Sequence, residues 1–252
     1  MKLAKEYGDD LQVILVEVQG ATAEDAERFA WGKGWMGGPA IWTTERPMSS
    51  GINGIPHYVL LGNDGTVLSK GYSVADKSKV EDLIEEQVKD AGDAPEDAPK
   101  SLRKAYEAFA EGDYEKAIAT CEKAIEKGDD ANAAQNLIDD FVLRMERRMQ
   151  FIGRMLDDGF AIEAQARFET FEDGAEDVPR VADSLATLRE RFESDGFEAE
   201  LEAQEALEKA LKGAYEDGID EKTAKKLRKV AEDHAGTVNA GRAEHLATMV
   251  TE

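Results

Sequence analysis

Gly54-Ile55-Pro56-His57-Tyr58-Val59-Leu60-Leu61-Gly62-Asn63-Asp64-Gly65-Thr66-Val67-Leu68-Ser69-Lys70-Gly71 is the stretch whose reading decides the fold of the first third of the chain. Residues 58–61 form a short apolar run, the pattern of a strand buried on both faces. Asn63-Asp64-Gly65 supplies residues that tolerate positive φ, so the chain is expected to reverse there. Residues 66–69 then return as the partner strand. Pro56 stands just before the first strand, where its missing N–H costs no ladder bond. X-Pro bonds lose most of the trans preference, so the sequence leaves both isomers open at Ile55-Pro56.

Working outward from this hairpin, residues 11–18 read Leu-Gln-Val-Ile-Leu-Val-Glu-Val, the strongest strand signal in the chain. Before it, residues 2–7 predict the end of a helix closed by Gly8. After it, Thr22 and Asp25 form an approximate capping box for a helix carrying Ala26, Phe29 and Ala30 on one face. Residues 40–44 predict a short strand. Downstream, residues 77–89 predict a helix with Val80, Leu83, Ile84 and Val88 on one side.

The order is helix end, strand, helix, short strand, loop, strand, strand, helix. With Gly54-Ile55-Pro56 before a strand and Asn63-Asp64-Gly65 in the hairpin, it resembles the second half of a thioredoxin fold of the TlpA-like or peroxiredoxin-like kind. The resemblance covers about residues 1–90 and implies an incomplete α/β thioredoxin-like domain. In that family the proline is cis and lies against a redox-active Cys-x-x-Cys. Ile55, Pro56 and His57 are therefore the candidate groove for a substrate or partner; the family often has Thr where this chain has His57. The resemblance also implies that the central strand and the Cys-x-x-Cys belong upstream of the helix at residues 2–7. The absent strand would sit between residues 11–18 and 58–61. Its loss would leave two open edges, each unpaired buried group costing about 1–3 kcal/mol. An N-terminally truncated reading of a longer protein is the expectation, with a rearranged, degenerate domain as the alternative. An extracytoplasmic site is implied by the family alone, since the first residues read as an amphipathic pattern and not as a leader.

The whole chain of 252 residues is long enough for two modest domains. It carries 54 Asp and Glu against 31 Lys and Arg, a net charge of −23. Such a surface repels nucleic acid and anionic membrane, which need clustered cations, and no apolar run reaches the roughly 18 residues of a membrane span. The single cysteine, Cys121, excludes an intramolecular disulfide and a Cys-x-x-Cys within these residues.

Residues 91–99 read as a linker: small, acidic and carrying Pro95 and Pro99. Residues 100–252 then predict an all-α domain. Leu102, Ala105, Tyr106 and Phe109 recur at helical spacing, Gly112-Asp113-Tyr114 makes a turn, and Tyr114, Ala117, Ile118, Cys121, Ala124 and Ile125 continue on a second helix. This pair resembles a tetratricopeptide (TPR) repeat, though it lacks an aromatic near Cys121 and a closing proline. A weaker copy starts at Gly159, with Ala164, Phe168 and Phe171, after a long helix over residues 131–156. Asp177 with Pro179, Asp195 with Glu198, Asp220, and Gly236-Thr237 mark four later helix starts. Stacked helix pairs of this kind imply binding of a protein or peptide partner.

No catalytic or cofactor-binding residues emerge from the pattern. Cys121 shares a face with Ile118 and Ile125, so core packing outweighs a nucleophilic role. His234 and His245 fall on different helices, against a metal site. Trp31, Trp35 and Trp42 with Phe29 read as core filling or as a patch beside the absent strand. Phe141, Met145, Met149 and Ile152 read as a core stripe. Arg144, Arg147, Arg148 and Arg154 read as a solvated or salt-bridged face. Two functions follow: a protein related to thiol–disulfide oxidoreductases but incompetent without its thiols, or a non-enzymatic scaffold in which both parts bind partners.

Overall fold

The computed structural model describes Leu3, Tyr7 and residues 11–33, 35, 40–45, 48–62, 65–72, 77–92, 94–95, 97–212, 214 and 219–249. The chain is mostly helical, with a small β component. It divides into two compact units, Met1–Ala26 with Pro39–Glu96, and Glu27–Gly38 with Asp97–Glu252.

The first unit holds β1 (Val13–Val16), the start of α1 (Ala23–Gly32), β2 (Ala40–Thr43), β3 (His57–Leu61), β4 (Val67–Tyr72) and α2 (Lys77–Gly92). Thr22 caps α1: Asp25 N–H donates to Thr22 Oγ1 at 3.1 Å, while the Thr22 hydroxyl donates to Asp25 Oδ2 at 2.8 Å, a side-chain bond in place of the backbone bond of a full capping box. Among the described residues, the four strands form two separate two-stranded sheets. In one, β1 and β2 run parallel with Val13 opposite Ala40 and Val16 opposite Thr43. In the other, β3 and β4 run antiparallel from His57 opposite Tyr72, with an irregularity between Leu60 and Leu61. Gly65 takes a φ of 80° in the turn; Asn63 and Asp64 lie outside the described residues.

Two expectations need correction here. Residues 58–61 were expected to be buried on both faces, yet β3 is only half-buried and Leu61 is 41% exposed. A strand is buried on both faces only where layers pack above and below its sheet, and a two-stranded ribbon offers such layers little surface. Helix α2 also runs to Gly92, into the stretch read as linker. Ala91 favours helix, and Gly92, a poor helix former, is its last residue. Among the described side chains of this unit, Ile84 is the one buried hydrophobic, while Ile14, Ile55, Val67 and Tyr72 are each about half exposed.

The second unit is carried by α3 (Arg103–Ala110), α4 (Tyr114–Lys127), α5 (Ala131–Asp157), α6 (Ala161–Ala175), a 3-10 turn (Pro179–Val181), α7 (Ala182–Phe192), α8 (Asp195–Leu211), α9 (Glu221–Asp233) and α10 (Val238–Leu246). The helical periodicity places its core. Leu102, Ala105, Cys121, Ile138 and Phe141 form one apolar cluster, and Phe141 stacks on Phe109 with centroids 4.1 Å apart. Tyr114, Met145, Met149, Ile152, Phe168 and Phe171 belong to a second cluster, so the stripe on α5 is core, as its spacing implied. A third cluster gathers Leu207, Leu211, Leu227, Leu246 and Met249. Tyr215 lies outside the described residues.

Close helix approach is built on glycine. A Cβ on Gly174 of α6 would stand 2.0 Å from the Gly112 carbonyl oxygen in the α3–α4 turn. Asp113, in the stretch read as a turn, caps α4 by accepting from Lys116 N–H. Of the four later helix starts marked in the sequence, two are capped there by a side chain: Asp220 accepts from Thr223 N–H and Thr237 from Ala240 N–H. Two differ. Helix α8 is capped by Ser194, one residue before Asp195, because the Ser194 hydroxyl on extended backbone reaches Phe197 N–H at 3.2 Å. Asp177 does not cap α7, which Pro179 opens through a 3-10 turn without a side-chain cap.

Candidate functional site

The Ile55-Pro56-His57 segment is placed by the strand that follows it and fastened by the strand opposite. His57 opens β3 and pairs with Tyr72, the last residue of β4. Successive side chains of β4 point to opposite faces, so Lys70 and Tyr72 share one side. Both reach the loop that precedes β3: Lys70 Nζ donates to Ser50 O at 3.0 Å, and Tyr72 Oη donates to Asn53 O. Gly54 has a φ of 116° and lies under the Tyr72 ring, where a Cβ would meet Tyr72 Oη at 3.3 Å. Both the backbone conformation and the close ring call for glycine.

The loop closes on itself as well. The His57 ring Nδ1 stands 2.8 Å from Gly54 O. A carbonyl only accepts, so in this contact Nδ1 carries a hydrogen and donates. The Ile55–Pro56 peptide bond is cis. Ile55 is 48% exposed and Pro56 is exposed, while His57 is half-buried. The three candidate residues thus lie together on one loop fixed by Tyr72, Lys70 and Gly54. Those fasteners were not singled out from the sequence. The period-2 pattern of residues 67–72 could have shown that Lys70 and Tyr72 share a face.

The arrangement offers an apolar contact at Ile55, a rigid proline edge and the His57 ring. It contains no thiol. The only cysteine is in the helical unit: Cys121 is wholly buried on α4, and burial pushes its pKa up to about 11. The thiolate is the reactive form in disulfide exchange, and this thiol is held protonated.

The other candidates resolve as packing. Arg144 pairs with Asp140 at 2.8 Å, Arg148 donates to Tyr114 Oη at 2.9 Å, and the Arg154 guanidinium lies 6.0 Å from the Phe151 ring. Trp35 meets Phe29 edge to face at 5.4 Å, while the side chains of Trp31 and Trp42 lie outside the described residues. His234 ends α9, and His245 Nε2 lies 3.2 Å from Glu27 Oε2. Among the described residues no three His, Cys, Asp or Glu side chains are grouped to hold a metal, and no helix is long and apolar enough to cross a membrane.

Compared with known proteins, the chain matches no family model, no curated protein and no solved structure.

Proposed function

We propose that these 252 residues form a protein-binding module with no thiol chemistry of their own, a thioredoxin-like α/β unit joined to TPR-like helices. The observation that carries this reading is the Ile55-Pro56-His57 loop. It is fastened from behind by Lys70 and Tyr72 and presents Ile55 and Pro56 to solvent, while the single thiol is buried on α4. A preorganised loop loses little entropy on binding, which favours recognition of an extended peptide. The helices support the same reading through the α3–α4 hairpin, whose Gly112 turn and small Ala105, Ala117 and Ala124 contacts resemble a TPR unit.

Peptide display against the whole chain, scored on wild type and Ile55→Asp, tests it. Selected peptides should bind wild type and lose at least about ten-fold affinity on Ile55→Asp, the ~1.4 kcal/mol equivalent of one desolvated apolar contact. Failure to select any peptide, or equal binding to both proteins, overturns the reading.

One observation favours a second reading. The strands lie in two separate sheets, and the first unit buries one described hydrophobic side chain, Ile84. A relative of thiol–disulfide oxidoreductases whose sheet takes a further strand, bearing a Cys-x-x-Cys beyond it, accounts for both. The reading frame before the Met1 codon tests this. A strand-forming segment with Cys-x-x-Cys, conferring insulin reduction when joined to the chain, supports it; an in-frame stop without them ends it.

A further inference from the structure

The three apolar clusters of the helical unit are not equally connected. The first two share the partly buried side chains Phe109 and Val142 and grade into one another. The third, around Leu207, Leu227 and Leu246, shares no residue with either. Between this cluster and the rest lies a set of hydrogen bonds organised by one polar stripe on α8.

Glu200, Gln204 and Glu208 follow one another at i, i+4 and i+8, on one face of α8. Gln204, only 4% exposed, accepts from Ile162 N–H at 2.9 Å in the first turn of α6 and donates to Glu163 Oε2 at 2.7 Å. Helix α6 has no side-chain cap of its own, so Gln204 satisfies one of its orphan donors. Glu200 does the same for α10, accepting from Val238 N–H and Asn239 N–H at 2.8 Å each. Asn239, fully buried, bridges the two sides: Nδ2 donates to Glu200 Oε1 and to Gly159 O, both at 2.7 Å. Arg242 completes the set, donating to Asn239 Oδ1 and to Asp158 O at 2.7 Å each, with its guanidinium 4.9 Å from the Phe160 ring. A Cβ on Gly159 would meet Val238 at 3.0 Å, so the α5–α6 turn sits directly against the start of α10.

We propose that α8, α9 and α10 form a lobe held on the α5–α6 turn by this hydrogen-bonded latch, and that the lobe opens by releasing the latch while its own helices stay folded. The physical reason is the difference between the two kinds of contact. A released hydrogen bond is replaced by one to water, at a net cost of about 0.5–1.5 kcal/mol. The apolar cluster of the lobe has no such replacement and stays closed. Phe197 of α8 also meets Phe192 of α7 edge to face at 5.0 Å, an apolar contact that flanks the pivot and is kept on opening. Elements with separate cores and an otherwise largely polar junction move as bodies, and local openings of this kind lie well below global unfolding in free energy. The pivot is the short link around Ser194 between α7 and α8. Glu200 keeps its bonds to Val238 and Asn239 inside the lobe, and opening uncovers Gln204, the Asn239 side chain and the N-terminal amides of α6.

Hydrogen–deuterium exchange on the full chain tests the latch. In Asn239→Ala, exchange should rise at least about ten-fold in the peptide spanning residues 158–164, whose Ile162 amide is held by Gln204 and not by Asn239. Peptides spanning 140–150, 224–231 and 236–242 should keep wild-type protection, since Glu200 still holds the start of α10. An equal rise everywhere would show one cooperative body, and no rise at 158–164 would show no coupling; each overturns the proposal. If Asn239→Ala does not fold, Arg242→Gln, which removes the bond to the Asp158 carbonyl, is read by the same four peptides against the same outcomes.

Discussion

Gly174 carries the sharpest single prediction. In Gly174→Ala the new Cβ would stand 2.0 Å from the Gly112 carbonyl oxygen and 3.3 Å from the Tyr114 ring. Carbon and oxygen in ordinary contact need more than 3 Å, so the α3–α4 turn must retreat by over an ångström. The neighbouring atom is backbone, and Gly112 is itself held at a φ of 83° with its N–H bonded to Phe109 O at 3.1 Å. Overpacking of this kind costs about 1–3 kcal/mol. Against that stands the roughly 1 kcal/mol by which Ala exceeds Gly inside a helix. The clash is with backbone and should take the upper end, leaving a net loss of about 2 kcal/mol. For a unit of this size that lowers Tm by about 4–8 °C. Gly241 in α10 provides the control: a Cβ there meets nothing within 4 Å, so Gly241→Ala should raise Tm slightly. Thermal unfolding followed by circular dichroism at 222 nm reads both. Equal shifts of the two variants, or a more stable Gly174→Ala, would refute the packing argument.

Further outcomes follow from individual groups. Phe141→Ala removes a fully buried ring that stacks on Phe109 and meets Tyr106 edge to face, and should cost about 3–5 kcal/mol in urea unfolding. Cys121 has its pKa raised from 9.0 to about 11 in the fold, so the unfolded chain loses this proton first as pH rises. Its contribution is intact below about pH 9 and is lost toward pH 11, and Cys121→Ala, compared by urea unfolding across that range, should lack this part of the slope. Asp220 has a pKa lowered mainly by the backbone hydrogen bond from Thr223. The cap should therefore stabilise at neutral pH and fade as pH falls through the carboxylate range, so wild type and Asp220→Ala converge in acid unfolding curves.

Much of the helical part was legible because burial there follows the helical period. Phe141, Met145, Met149 and Ile152 recur on one face, and the caps at Asp220 and Thr237 stand where short polar side chains precede apolar runs. The latch was not legible. Glu200, Gln204 and Glu208 have the spacing of any solvated helix face, and nothing local shows that Gln204 is buried and Glu200 half-buried while Glu208 stays exposed. The same holds for Ser194, which competes with Asp195 for the cap and wins through backbone conformation. In the α/β part the strands were legible from β-forming residues, but their burial was not. Burial depends on what covers a sheet, and residues 58–61 carry an apolar run whether or not anything does.

The candidate loop divides in the same way. Ile55, Pro56 and His57 are adjacent in sequence, so their proximity needed no fold. Their fastening to Lys70 and Tyr72 arises only once β3 and β4 pair in register.

Isothermal titration of a display-selected peptide into wild type and Ile55→Asp at matched folding tests the central claim most directly. The account predicts saturable binding to wild type and at least about ten-fold weaker binding to the variant. Indistinguishable affinities, with the peptide bound as tightly after a charge replaces Ile55, would contradict it.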